Sequence, residues 1–241
     1  MYQAFKDHDK YLTIIYLIKK TLDFYSRNFI KLNYNQFYSK DILEIEKFNI
    51  NEISINLNIP KETARRKIVE LEKNGIIKRN KKKIIIDRSS YPHIKPINAI
   101  IRISRFLSIL SDLLCKQKIL SNKIKTEKFE KIINDNFSYV WKLYYELQIP
   151  MLMGYKDFFG DLETFHIWGV CIVNQHLFLE KKNNKKERLK FIKDLTSIDN
   201  MPGLSAMSIS DISGIPRATV VRKLKKLLKK NYLIIDNKKH Y

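Results

Sequence analysis

With 241 residues the chain can hold one large domain or two small ones around a real core. Hydrophobic residues at 44% and charged residues at 29% exclude a disordered chain. Lys and Arg number 46 against 25 Asp and Glu, a formal net charge of +21; a coding bias toward Lys would raise Glu as well, so the imbalance points to a polyanionic partner.

The spacing of Leu12, Ile15, Ile18, Leu22 and Tyr25 predicts a first helix over 9–30. A shorter helix is expected over 38–45. Asn49 is placed to cap a helix running to Asn56, and Ile59-Pro60 makes a turn into a helix over 61–73. Asn74-Gly75 stops that helix, because Gly takes the left-handed conformation without steric cost. Ile76–Lys78 and Ile84–Ile86 then read as a hairpin around Arg79–Lys83.

Two helices are expected in the middle, over 97–117 and 126–149, with a turn at 122–125. The first is apolar nearly all round and is expected to be buried, tying neighbouring parts together or forming a homodimer seam. A long helix follows over 161–180, then a charged loop over 181–188 and a short helix over 187–196. Ser205 caps a helix ending near Ser213. Gly214-Ile215-Pro216 turns into a helix over 217–230, with Asn231 at its stop. A strand over 232–235 and a turn at 236–238 close the chain as a short second hairpin.

One passage occurs twice. Ile53-Ser54, Ile59-Pro60, Thr63, Arg66-Lys67, Leu71 and Lys73 return as Ile209-Ser210, Ile215-Pro216, Thr219, Arg222-Lys223, Leu227 and Lys229, each pair 156 residues apart. The passages Ile59–Ile68 and Gly214–Leu224 resemble the winged helix-turn-helix superfamily, specifically bacterial regulators of the catabolite-activator, MarR and GntR kinds. The resemblance covers about 35–40 residues per copy, in line with the size of such modules. It implies a mainly α fold with small β-hairpin wings: two winged helix-turn-helix domains, residues 1–91 and 151–241, joined by a helical connector over 92–150. It also implies double-stranded DNA as the partner.

The residue types fit that implication. Side chains at i, i+1, i+4 and i+5 share one helix face, which a reading helix turns to the major groove. In the first copy these are Lys61, Glu62, Arg65 and Arg66; in the second, Arg217, Ala218, Val221 and Arg222, with Lys223 beside them. Lys61 and Arg217 oppose the helix dipole at a cost of roughly 0.3–1 kcal/mol, which an approaching phosphate or guanine edge would offset. Thr63 and Thr219 suit phosphate contacts that fix register. Arg79, Lys81, Lys82 and Lys83 fall where a wing meets the backbone, and Lys238 sits in the shorter second turn. Because the two reading faces differ, the expected target is an asymmetric bipartite site, with the Lys61–Arg66 segment the stronger reader. If both helices reach one face of the duplex, they lie roughly 34 Å apart.

A transcription regulator is therefore the leading expectation. A plasmid-type replication initiator and a winged-helix protein scaffold are the alternatives. No catalytic residue, metal or cofactor is expected: there is no phosphate-binding glycine loop and no nucleophile elbow, and Glu163 with His166 forms a lone E-x-x-H pair. Cys115 and Cys171 are isolated and read as buried residues of a reduced protein. The polar first ten residues carry no signal-peptide pattern. The apolar stretches at 97–115 and 165–179 are interrupted by charges or too short to span a bilayer, so the expected location is cytoplasmic, on the nucleoid, with no membrane contact. The sequence assigns no small-molecule effector.

Overall fold

The computed structural model describes residues 5–39, 41–79, 83–91, 95–182 and 203–241. They form two compact units: Asp9–Met151, and Met1–His8 together with Leu152–Tyr241. Among the described residues no helix is long and apolar enough to cross a membrane.

The first unit starts with α1 (His8–Arg27). Leu12, Ile14, Ile15, Leu17 and Leu22 are all buried, so the helix is enclosed on more sides than its simple periodicity indicated. The Tyr16 hydroxyl (2.9 Å) and the Lys20 ammonium (2.8 Å) both reach Glu52, tying α1 to the third helix. The segment 38–45 is not a helix. It divides into α2 (Tyr34–Tyr38), closed at its start by a reciprocal Asn33–Gln36 capping box, and a strand, β1 (Ile42–Ile45). Leu43 and Ile45 are buried while Ile42 and Glu44 are exposed, a period of two that only a strand satisfies.

After α3 (Ile50–Asn56) and α4 (Lys61–Lys73) come β2 (Ile77–Arg79) and β3 (Ile84–Asp87). The antiparallel sheet has the order β1-β3-β2, with Ile42 opposite Asp87 and Ile77 opposite Ile86. A two-stranded hairpin alone is marginal in water, and β1 supplies the third strand. A short 3-10 turn, Arg88–Ser90, follows. Hydrogen bonds from Lys78 and Ser89 hold the Asp87 carboxyl down to about 2. Arg88 is buried, bonds the Phe37 carbonyl at 2.9 Å and lies over the Phe37 and Tyr38 rings.

The middle helices differ from expectation in two ways. α5 (Ile97–Lys116) is not buried all round. Its inner face is Ile100, Ser104, Ser108 and Ser111: Ser108 donates to the Ile124 carbonyl and Ser111 accepts from the Ile124 amide, while the buried Ser104 hydroxyl has no hydrogen-bond partner among the described residues. The expected helix over 126–149 is two helices, α6 (Thr126–Asp135) and α7 (Phe137–Phe159), broken at Asn136. The orphan amide of Ser138 in the first turn of α7 finds the Leu32 carbonyl at 3.0 Å. Phe137 is fully buried and stacks on Trp141 at 5.0 Å. Pro150 does not end α7, which continues to Phe159.

The second unit holds the last turns of α7, then α8 (Leu162–Lys182), α9 (Ala206–Ser213) and α10 (Arg217–Lys229). Asp161 caps α8, accepting from the Thr164 amide at 2.8 Å. The core is Phe159, Ile167, Cys171, Ile209, Ile215, Val220, Leu224 and Leu227. Burial pushes the Cys171 thiol up to about 11, whereas Cys115 is only half-buried. No strand forms over 232–235. The chain closes instead through a turn in which the Asp236 amide bonds the His240 carbonyl, and through a reciprocal pair of 3.0 Å backbone bonds between Leu204 and Tyr241. With one such pair there is no ladder to hold a regular strand. The helix expected over 187–196 lies outside the described residues.

Candidate nucleic-acid interface

The repeat in sequence is a repeat in geometry. The Ser54 hydroxyl donates to the Ile59 carbonyl at 2.7 Å; 156 residues on, the Ser210 hydroxyl donates to the Ile215 carbonyl at the same distance. Pro60 and Pro216 share φ −54°, with ψ 138° and 135°. Asn49 caps α3 and Ser205 caps α9, each accepting the amide three residues later. Ile53, Ile59, Ala64, Ile68 and Leu71 are buried, and so are their counterparts Ile209, Ile215, Val220, Leu224 and Leu227.

The stops match as well. The Ile76 amide bonds the Leu71 carbonyl and the Gly75 amide bonds that of Glu72, and the Tyr232 and Asn231 amides repeat both bonds at the same distances. Each copy needs two left-handed residues. The first copy uses Asn58 in the turn and Gly75 at the stop; the second uses Gly214 in the turn and Asn231 at the stop. Gly and Asn have traded places, which preserves the backbone while changing the letters.

On α4, Lys61, Glu62, Arg65 and Arg66 are all exposed and Thr63 is half-buried, as a reading face requires. Two of these side chains engage each other. Arg65 makes a two-point bond to Glu62, Nη2 to Oε1 at 2.8 Å and Nε to Oε2 at 3.0 Å. Arg66 lies 3.9 Å from Glu70. Glu62 thus answers Arg65, while Glu70 is bonded to Lys10 of α1 at 2.7 Å and, among the described residues, no carboxylate lies within ion-pair distance of Lys61.

α10 differs. Arg217, Ala218 and Arg222 are exposed, and Val221 and Thr219 are half-buried. The helix contains no acidic residue, and among the described residues no carboxylate stands within ion-pair distance of Arg217 or Arg222. Lys225 and Lys229, three and seven residues past Arg222, extend the same exposed face. Sequence reading missed both, although their helical spacing from Arg222 was available.

Lys223 does not join that face. Its side chain is 13% exposed and its ammonium bonds Asp161 at 2.6 Å, with Glu163 at 3.8 Å, so it ties α10 to the start of α8. Its counterpart Lys67 is 11% exposed and lies 3.9 Å from Glu70. This repeated position belongs to the framework. Neither α4 nor α10 has a side-chain cap at its start, so the first-turn amides of both lack a side-chain acceptor from the capping residue.

Of the hairpin cations, Arg79 pairs with Glu72 and lies over the Phe48 ring at 5.0 Å, and Lys83 bonds Glu44 at 2.8 Å. Lys81 and Lys82 lie outside the described residues. Lys238 is exposed in the closing turn, its amide bonded to Asp236.

Glu163 and His166 do not converge. His166 Nδ1 lies 3.3 Å from His8 Nε2, the rings edge to face, while Glu163 faces Lys223. Among the described residues no group of three or more His, Cys, Asp or Glu is placed to hold a metal. Comparisons with family models, curated proteins and solved structures returned no match.

Proposed function

We propose that the chain is a sequence-specific double-stranded DNA-binding transcription regulator, built from two winged helix-turn-helix units on a helical connector and reading an asymmetric bipartite site. The observation that carries this is the doubled framework: the same turn, built from different residues, presents an uncapped helix with exposed cations in its first turns each time. Uncapped amides and exposed cations suit phosphate, and the guanidinium groups of Arg66 and Arg222 suit guanine edges.

The side-chain pairing divides the labour. The Glu62–Arg65 pair fixes two polar groups in a defined arrangement, a feature of sequence readout. The unanswered cations of α10 provide attraction to the phosphate backbone. This moves the electrostatic weight toward the second copy, which the sequence alone ranked as the weaker reader.

Selection of bound duplexes from a random pool tests the proposal. The expected product is two unlike half-sites at fixed spacing. No enrichment of any duplex, with binding that ignores salt, would favour a protein-binding scaffold and overturn it.

A further inference from the structure

α5 wears its apolar residues on the outside. Phe106 and Ile109 are 63% and 62% exposed, and Leu110 and Leu113 are exposed with them, while Ser104, Ser108 and Ser111 face inward. The spacing places these four side chains on one stripe about two turns long. Single exposed apolar residues need no explanation, but a contiguous patch marks an interaction surface.

We propose that this stripe is the seam of an antiparallel homodimer. The stripe is symmetric about the point between Ile109 and Leu110. A second copy related by a two-fold axis through that point sets Phe106 against Leu113, a contact made twice, and lays Ile109 and Leu110 each beside its own counterpart near the axis. The flanking charges agree with this partner. Arg105 and Asp112, seven residues apart, lie on the same edge of the stripe. The two-fold lays that edge against itself with its direction reversed, so Arg105 of each copy comes within about 3 Å, measured along the helix axis, of Asp112 of the other.

A parallel copy would instead set Arg105 and Asp112 against the opposite edge, Ile103, Leu107 and Leu114, which carries no charge. Asp112 is bonded by Lys116 at 2.9 Å, and among the described residues no carboxylate lies within ion-pair distance of Arg105. Dimerisation gives Arg105 a partner.

The test is the solution mass of the full chain without DNA, by sedimentation at chain concentrations on the order of 10 μM. The expected mass is twice the chain's 28.8 kDa. Ile109→Asp returns it to one chain. Arg105→Asp and Asp112→Arg each weaken association by about tenfold or more, because each sets like charges together, and the double swap restores it. A wild-type monomer would overturn the proposal. So would a dimer indifferent to Ile109→Asp, or a double swap that fails to restore association. Because no DNA is present, these outcomes are independent of whether the chain reads a duplex.

Discussion

The Arg65 guanidinium grips Glu62 at two points on the exposed face of α4. The pair is solvent-exposed and contributes little to stability, but it sets the charge that a duplex would meet. Glu62→Gln removes the carboxylate and frees Arg65. Duplex affinity is then expected to rise and the salt dependence to steepen by about one phosphate contact. Fluorescence anisotropy titrations at several salt concentrations measure both. Unchanged affinity and slope would place Glu62 off the interface.

Lys223 was a candidate DNA contact in the sequence and is an internal tie in the structure. Burial alone would raise the Asp161 carboxyl, but hydrogen bonds from Lys223 and Thr164 outweigh it and hold that carboxyl below the usual range. Lys223→Met is expected to cost about 1.5–3 kcal/mol of stability, the range for a hydrogen bond to a charged group. The salt slope of DNA binding stays at the wild-type value. Thermal unfolding and anisotropy together separate these effects, and a reduced slope with unchanged stability would return Lys223 to the interface.

Gly214 and Asn58 occupy the same left-handed turn position in the two copies. A residue with a Cβ and no short polar side chain costs roughly 1–2 kcal/mol in that conformation. Gly214→Ala is therefore expected to destabilise the second unit by about that much, while Gly214→Asn is tolerated better because the first copy already uses Asn. Chemical denaturation of the two variants gives the comparison; equal losses would mean the turn does not impose the conformation.

This exchange explains which parts of the fold were legible in sequence. Pro60 and Pro216, the serines beside the turn and the spaced core residues are imposed by local geometry, so the doubled unit could be read directly. β1 was missed because Ile42-Leu43-Glu44-Ile45 offers only four residues of alternation and its partner β3 lies some 40 residues away in sequence. The inverted face of α5 was hidden because Ser108 and Ser111 are satisfied by Ile124, across a turn that periodicity does not encode. Lys223 looked like any other cation of a basic helix until its partner 62 residues earlier came into view. The exposed positions of α4 and α10 were visible by spacing; which of their charges pair with one another was not.

His8 adds a pH dependence to the second unit. Burial, and then the neighbouring His166, lower it from its ordinary 6.5 to about 4, and burial lowers His166 as well. The unfolded chain therefore binds more protons than the folded one between about pH 6.5 and 4, so stability falls as pH drops through that window and is fully kept above it. His8→Leu keeps the buried volume and removes the titration, and is expected to flatten the dependence. Melting temperatures of the wild type and this variant at pH 7 and pH 5 decide it; equal losses in both would clear His8 of the effect.

If two unlike helices of one chain grip one duplex, affinity against salt reads both of them at once. On a selected site, log affinity is expected to fall linearly with log salt. Arg66→Ala and Arg222→Ala should each weaken binding, flattening the slope by about one contact where a phosphate is lost, or costing about 1–3 kcal/mol and relaxing one half-site where a base is lost. Wild-type affinity, slope and site preference in both variants would mean that neither helix touches the duplex.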